Sequence, residues 1–420
     1  MIRMSGPQSR AALRRLGGMI PEKREATLVW LKGPTGDIID QALVLFFEGP
    51  GSATGEDMAE FHVHGSATVI ERVLLELSAI DECRMAEPGE FTRRAFEKGK
   101  LDLVEVEGLA DLLSSETEPQ RRLAMKQFMG EATAVYESWR VRLLDAQATI
   151  EAAIDFPDEH GVSEQAERAL RARISTLRSE LVDAANKAEM ASAVRRGLSV
   201  VIAGAPNSGK SSLVNALVGR EMSIVSPVAG TTRDVVSEAL VIEGVPVRIA
   251  DTAGLRESTS DEIERMGMAR TATEISGADI LVWLRSADDE EGVEPPRKPD
   301  INVRSKCDLA ANSPSRNRND SVDVSARTGE GLGALRDALG KLVQERLSQA
   351  QDGTMVRARH ADAVRKAIGH LDAALAEPAT KLEIIAENMR KAGLALAGIT
   401  GAVGAEDWLG RIYAEFCIGK

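Results

Sequence analysis

The spacing of hydrophobic positions changes several times along the chain. Up to about residue 94, short apolar runs (Leu28 to Leu31, Ala42 to Phe47, Ala59 to His64) alternate with turn clusters such as GPTGD and EGPGSATGED. Strands separated by tight turns give this pattern, so an α+β domain is expected here. From about Leu103 to Ile154 apolar residues recur at helical spacing, at Val106, Leu109 and Leu112/Leu113 and again at Val141, Leu144 and Ala148, before Pro157 marks a break. Two or more long helices are predicted. The segment SEQAERALRARISTLRSELVDAANKAEMAS combines helix formers with dense i,i+4 charge pairs and predicts a solvated helix leading to the next domain.

From Gly197 the texture becomes an alternation of strands and helices: LSVVIAG, SSLVNALVG, VPVRIADTAG, ADILVWLRS, INVRSKCD and SVDVSARTG. Such alternation predicts a mostly parallel sheet with helices on both faces. After about Glu345 helical spacing returns through ARHADAVRKAIGHLDAAL and runs to EDWLGRIYAEFCIGK. The simplest organisation is an α+β domain over 1–94, a helical domain whose halves are 95–195 and 346–420, and an α/β domain, 196–345, inserted between those halves. A length of 420 residues fits two to four domains. The chain has no repeat of solenoid period, and ANSPSRNRND reads as a loop.

Charge and cysteine content narrow the classes. With 65 acidic against 52 basic residues the net charge is -13, so the whole-molecule field repels phosphate backbones and any RNA contact must be local or supplied by a partner. Cys83, Cys307 and Cys417 are an odd number at no metal spacing, which argues against a disulfide framework and for a reducing compartment. The start, MIRMSGPQSRAALRR, lacks an apolar core of signal-peptide length, and no run approaches about 18 apolar residues. A soluble, cytoplasmic protein is expected.

Chemistry concentrates in the α/β region. Gly204-Ala205-Pro206-Asn207-Ser208-Gly209-Lys210-Ser211 is GxxxxGKS, placed after an apolar strand and before a helical run that continues through Ser212. In that context backbone N–H groups point at phosphates, Lys210 neutralises the β/γ-phosphates and Ser211 holds Mg²⁺. Gly230-Thr231-Thr232-Arg233-Asp234 follows about twenty residues on, where a mobile loop brings Thr232 to the metal. Asp251-Thr252-Ala253-Gly254 ends a strand, with Asp251 near the Mg²⁺ shell and the Gly254 N–H near the γ-phosphate. Ser305-Lys306-Cys307-Asp308 follows another strand, with Asp308 able to accept from guanine, and Ser325-Ala326-Arg327 can supply a backbone N–H to guanine O6. The ordered set predicts a GTPase. Leu255 stands where a Ras-type glutamine would orient water, so either hydrolysis is very slow or another group acts; the acidic run Glu257 to Glu264 offers candidates. Asn207 either ligates a cation beside the nucleotide or stabilises its own loop.

GPGSATGEDMAEFHVHG, AEPGEFTRRAFEKGKLDLVEVEGLADLL, EAAIDFPDE, VIAGAPNSGKSSLVNALVGRE, AGTTRD, DTAGLRE and the terminal FCIGK occur in the order found in the MnmE (TrmE) family of tRNA-modification GTPases, which the chain resembles over nearly its whole length. The resemblance implies an N-terminal folate-binding domain similar to that of aminomethyltransferases, an all-α domain and an inserted P-loop GTPase domain. It implies a homodimer that works with the flavoprotein MnmG. That complex attaches a carboxymethylaminomethyl or aminomethyl group at C5 of the tRNA wobble uridine, with the one-carbon unit supplied by 5-formyl- or methylene-tetrahydrofolate. Asn207, Ser226, Val228 and Thr231 match the family's K⁺ positions, and Ser211 and Thr232 its Mg²⁺ positions. Glu264 matches the glutamate that orients water, although RESTSDEIE is one residue longer than usual.

The family's folate site maps onto Arg3, Glu60, Lys100 and Lys420, where Arg and Lys suit glutamyl carboxylates and Glu accepts from pterin N–H groups. His62 and His64, two apart on a strand, share a face; without a third ligand they read as structural. Cys417 is either a catalytic or an inert terminal thiol. Two departures stand out. The family usually begins with a longer, glycine-rich segment before the strand that starts here at Ile2, so the expectation is either a truncated or a misassigned start. The usual NKxD is SKCD, so bracing of the phosphate loop and base by Ser305 is expected to weaken while Asp308 still reads guanine. Two other classes share parts of this pattern. An Era-like ribosome-assembly GTPase would carry a basic RNA-binding domain after the G domain, and a folate-dependent aminomethyltransferase would use the G domain for regulation alone.

Overall fold

The computed structural model describes residues 1–155, 164–218, 238–251, 273–287, 294–309, 321–351, 355–378, 380–402, 412–413 and 416. It forms two compact units, one of residues 1–110, 127–140 and 394–420, the other of residues 111–126 and 141–393.

The first unit opens with β1 (Ile2–Ser5), α1 (Ser9–Gly17), β2 (Thr27–Lys32), β3 (Ile38–Phe47), β4 (Met58–His62), α2 (Ala67–Ser78) and α3 (Glu90–Glu97). The strands form an antiparallel sheet in the order β1-β4-β3-β2. Alternation puts Val29, Leu31, Ala42, Val44, Phe46, Ala59 and Phe61 on one face, where they share a core with Ala12, Leu13 and Leu16 of α1 and Val73 and Leu77 of α2. The opposite face carries the exposed Leu28, Trp30 and Leu43. One covered face and one open face is the usual state of an antiparallel sheet. The chain continues with α4 (Leu103–Ser114), α5 (Glu118–Phe128) and α6 (Glu131–Asp155), each of which has residues in both units.

On α6 the seam differs from the sequence reading. Val141, Leu144 and Ala148 are exposed, whereas Tyr136, Trp139, Leu143, Ala146, Ile150 and Ala153 are buried. Their steps of three and four residues follow a heptad-like seam, and the two aromatic rings, 5.7 Å apart, sit on it. Alanines and leucines occur on every side of this helix, so periodicity alone did not select the face.

The second unit contains α7 (Glu164–Arg196), then an α/β domain, then α9, α10 and the first part of α11, up to Gly393. The α/β domain comprises β5 (Leu198–Gly204), α8 (Lys210–Val218), β6 (Glu238–Ile242), β7 (Val245–Asp251), β8 (Ile280–Ser286), β9 (Ile301–Ser305), a 3₁₀ turn (Cys307–Leu309) and β10 (Val322–Asp323). Helix α9 (Leu332–Gln351) closes it, and α10 (Ala358–Ala376) and α11 (Leu382–Thr400) follow. The sheet order is β10-β9-β8-β5-β7-β6, parallel except for β6 against β7. Both faces of β5 are covered: Val200 and Ile202 join a core with Leu213, Leu335 and Val343, while Val201 and Ala203 pack with Ile275, Leu281 and Trp283. Its continuous apolar run reflects this two-sided burial. Outside the sheet, α7 pairs with α10. Arg171 donates to the Leu375 carbonyl at 2.8 Å and the Glu377 carbonyl at 2.6 Å, satisfying backbone acceptors at the end of α10.

Candidate functional site

The phosphate-type loop joins β5 to α8. Gly204 is in register with Leu284 of β8, and a Cβ on it would lie 2.2 Å from the Leu284 carbonyl oxygen, so the strand end can approach β8 this closely with glycine alone. Asn207 (φ 61°) and Gly209 (φ 89°) take left-handed conformations that turn successive N–H groups to one side, as an anion-binding nest requires. A helical bond at the start of α8 runs from Leu213 N to Gly209 O at 2.9 Å, so the N–H groups of Ser211 and Ser212 in the first turn face the loop as a helix start does towards an anion. Lys210 is largely buried, its Nζ 2.8 Å from Ala205 O and 3.3 Å from Gly204 O. Ser208 is buried and its Oγ has no hydrogen-bond partner among the described residues. A buried hydroxyl without a partner beside an ammonium and a nest fits a phosphate oxygen. Asn207, Ser211 and Ser212 are exposed at the loop and first turn.

The parallel sheet brings the other segments to the same edge. β7 ends at Asp251, whose backbone is in register with Ile202, two residues before Gly204. β9 ends at Ser305 beside Ser286 of β8. The Ser305 hydroxyl, buried, donates to Ser208 O at 2.5 Å and lies 3.3 Å from Arg285 O. The brace expected to weaken in SKCD is therefore made by the hydroxyl itself, which reaches the loop carbonyl directly. Ser305→Ala should raise the GTP dissociation constant roughly three- to tenfold, matching about 0.5–1.5 kcal/mol for one net hydrogen bond; unchanged affinity by calorimetry would mean that Ser208 O finds another donor.

Beyond Ser305, Lys306 turns at φ 57°, and Cys307 N donates to Val324 O at 3.2 Å, which lays the SKCD and SAR segments side by side. Asp308 Oδ2 is 3.1 Å from Arg327 Nη2, a pairing that sequence reasoning missed. Ser325 is buried; its N–H donates to Glu330 O at 2.9 Å and its Oγ accepts from Thr328 N at 3.2 Å, so the turn holding Ala326 is fixed from both ends. Ser226, Val228, Thr231, Thr232, Thr252, Ala253, Gly254, Leu255, Glu264, Cys417 and Lys420, with the side chain of Asp251, lie outside the described residues.

In the N-terminal sheet, Arg3 and Glu60 are register partners, and Arg3 Nε donates to Glu60 Oε1 at 2.9 Å. Lys100 Nζ donates to Pro50 O at 2.9 Å. His62 Nε2 lies 3.2 Å from the second oxygen of Glu60, and His64 Nδ1 lies 2.8 Å from Asp40 Oδ1, so each imidazole has its own carboxylate. A cavity of about 450 Å³ beside β1 is lined by Arg3, Met4, Leu74, Arg84, Phe91 and Arg94, among others.

Glu90, another lining residue, accepts from Arg84 and Arg94 at 2.8 Å. Burial raises its pKa, but bonds from Arg84, the Glu87 N–H and Arg94 outweigh that and hold the carboxyl down at about 2. A lowered folded-state pKa contributes stability above the ordinary value of 4.5 that is lost as pH falls towards about 2. Glu90→Gln should therefore be less stable than the parent near neutrality and approach it in acid, as denaturant unfolding at several pH values would show; a gap independent of pH would mean that the carboxylate's charge is not what stabilises.

A mostly parallel sheet whose carboxyl ends gather a lysine-bearing GxxxxGKS loop, a strand ending in Asp251 and the adjacent SKCD and SAR segments defines a P-loop protein of the GTPase class. The family model described as MnmE helical domain matches residues 103–417, and that of the GTP-binding protein TrmE N-terminus matches residues 1–100. The chain is 43% identical over 427 residues to the tRNA modification GTPase MnmE of Brucella anthropi, covering 100% of this chain and 95% of that protein. It is 44% identical over 427 residues to the protein of the same name from Rhizobium etli (100% and 95%) and 43% identical over 424 residues to that of Beijerinckia indica (100% and 92%). The chain belongs to the MnmE family of tRNA modification GTPases.

Proposed function

We propose that this protein hydrolyses GTP as a step of tRNA wobble-uridine modification, acting as a cytoplasmic homodimer with the flavoprotein MnmG. In that reaction a (carboxymethyl)aminomethyl group is built at C5 with a one-carbon unit from 5-formyl- or methylene-tetrahydrofolate. The observation that carries this reading is the phosphate loop tied through Ser208 to the base-recognition strand by Ser305, in a chain that matches its family end to end. Among the described residues no helix is long and apolar enough to cross a membrane.

In this reading the loop N–H groups, Ser208 and Lys210 bind the phosphates; Asp251, Thr252, Ala253 and Gly254 follow the γ-phosphate; Ser305, Lys306, Asp308, Ser325, Ala326 and Arg327 hold the base. Ser211, exposed at the first turn of α8, would hold Mg²⁺ with Thr232. The exposed Asn207, left-handed at the rim of the nest, would hold K⁺ with Ser226, Val228 and Thr231. Bound there, the two cations would neutralise charge developing on the phosphates. Glu264 orients the attacking water in place of Leu255. Arg3, Glu60, Lys100 and Lys420 would hold the folate.

Losing preorganised charge stabilisation slows chemistry by on the order of 10²-fold, so turnover should be at least about tenfold faster in KCl than in NaCl at equal ionic strength. Glu264→Ala should lose turnover while keeping nucleotide affinity, because it acts on water. Equal rates in the two salts, or an active Glu264→Ala variant, would sink this hydrolytic mechanism. Nucleoside analysis of tRNA from a deletion strain tests the tRNA reading separately.

A further inference from the structure

The nucleotide domain is inserted, so the chain passes twice between it and the helices of the same unit: once from α7 into β5 at Arg195–Gly197, and once from α9 into α10 at Met355–Arg357. Both passages meet one side chain. Asp111 of α4, largely buried, accepts from Arg195 Nε through Oδ2 at 2.8 Å and from Arg357 Nη2 through Oδ1 at 2.8 Å. These partners lie 84 and 246 residues away in sequence. A second contact secures the first passage: Gln120 Nε2 donates to Arg195 O at 3.0 Å while its Oε1 accepts from Glu116 N at 3.1 Å at the start of α5. Apolar packing continues the joint, since Leu123 of α5, Val194 and Val356 share the core that contains Leu198 and the sheet.

We infer that Asp111 is a positioning residue, a joint that holds both passages so that the nucleotide domain is carried on α7 and α10 at one fixed angle. The physical reason lies in the charges. A carboxylate with each oxygen committed to a different guanidinium, all partly withdrawn from water, fixes direction as well as distance. With both passages held, a rearrangement at the nucleotide turns the helices with the domain; with one released, the passage itself absorbs it. Asp111 stands on α4, outside the loop and strand ends that carry the nucleotide reading, so its effect is on orientation and not on the phosphates. The inference rests on the nucleotide reading of the α/β domain.

The experiment places spin labels at two exposed positions, Ser179 of α7 and Asp337 of α9, in the full chain with its three cysteines replaced by serine, and measures the distance distribution with GDP and with a non-hydrolysable GTP analogue. The parent should give one narrow distribution in each state. Asp111→Asn should at least double the width, with the GDP dissociation constant within twofold of the parent. Removing the shared carboxylate leaves two guanidinium groups facing each other and can unfold the joint. Arg357→Gln, which keeps the Arg195–Asp111 pair, is therefore measured beside it and should broaden the distribution as well. A parent width in Arg357→Gln, or in a folded Asp111→Asn, overturns the inference. Failure of the parent to bind GDP at all would instead fault the nucleotide reading.

Discussion

Lys210→Ala should lower GTP turnover by roughly 10²- to 10³-fold, the scale expected when one preorganised charge partner of the transition state is removed. The ammonium is already placed: it is largely buried and anchored on Ala205 O at 2.8 Å and Gly204 O at 3.3 Å, so its reorganisation on binding phosphate is small. Because phosphate carries charge in the bound and the transition states alike, affinity should fall together with kcat. Steady-state turnover and calorimetry on the same preparation test this, and wild-type turnover in the variant would refute the assignment.

Gly204→Ala should be nearly as severe by a different route. The added methyl would meet the Leu284 carbonyl at 2.2 Å and its carbon at 3.0 Å, and both belong to backbone held in the β5–β8 ladder. Backbone cannot swing away as a side chain can, so the strands must part at the point where the phosphate loop begins. A loss of about 3 kcal/mol is expected for such overpacking, and nucleotide should no longer raise the melting temperature. Gly277→Ala, whose new methyl meets nothing within 4 Å, is the matched control and should be nearly neutral. A Gly204→Ala protein that melts like its parent and binds GTP would show that this strand end relaxes freely.

The α/β domain was largely legible because its signals are local. An apolar run followed by GxxxxGKS dictates strand, nest and helix within a dozen or so residues, and the segments SKCD and SAR each end a short strand or begin a turn. What the sequence did not show depends on partners distant in the chain. That the Ser305 hydroxyl reaches Ser208 O, 97 residues earlier, is a tertiary fact that the SKCD motif does not carry. The buried seam of α6 was missed because apolar residues surround that helix, and the Asp308–Arg327 pair because each residue already had a role in another contact. In the N-terminal unit the Arg94–Glu90 pair within AEPGEFTRRAF is an i,i+4 contact of α3 that spacing allows, yet the second bond of Arg94, to Glu56 at 2.8 Å, comes from a residue 38 positions earlier and not from spacing.

The pairing of α7 with α10 has a consequence for how the chain reaches its native state. Arg171 and Leu375, bonded across that pair, are 204 residues apart. Closing a flexible loop of that length costs about 5 kcal/mol in chain entropy, and contacts of such separation form slowly. If the α/β domain folds first, its own structure brings the flanking residues together and most of that search is removed. Refolding should then be biphasic, with the nucleotide domain acquiring protection before the helix pair does. During synthesis, α7 would leave the ribosome well before α10 exists, with Leu170, Ile174 and Leu177 still without the partner helix that buries them.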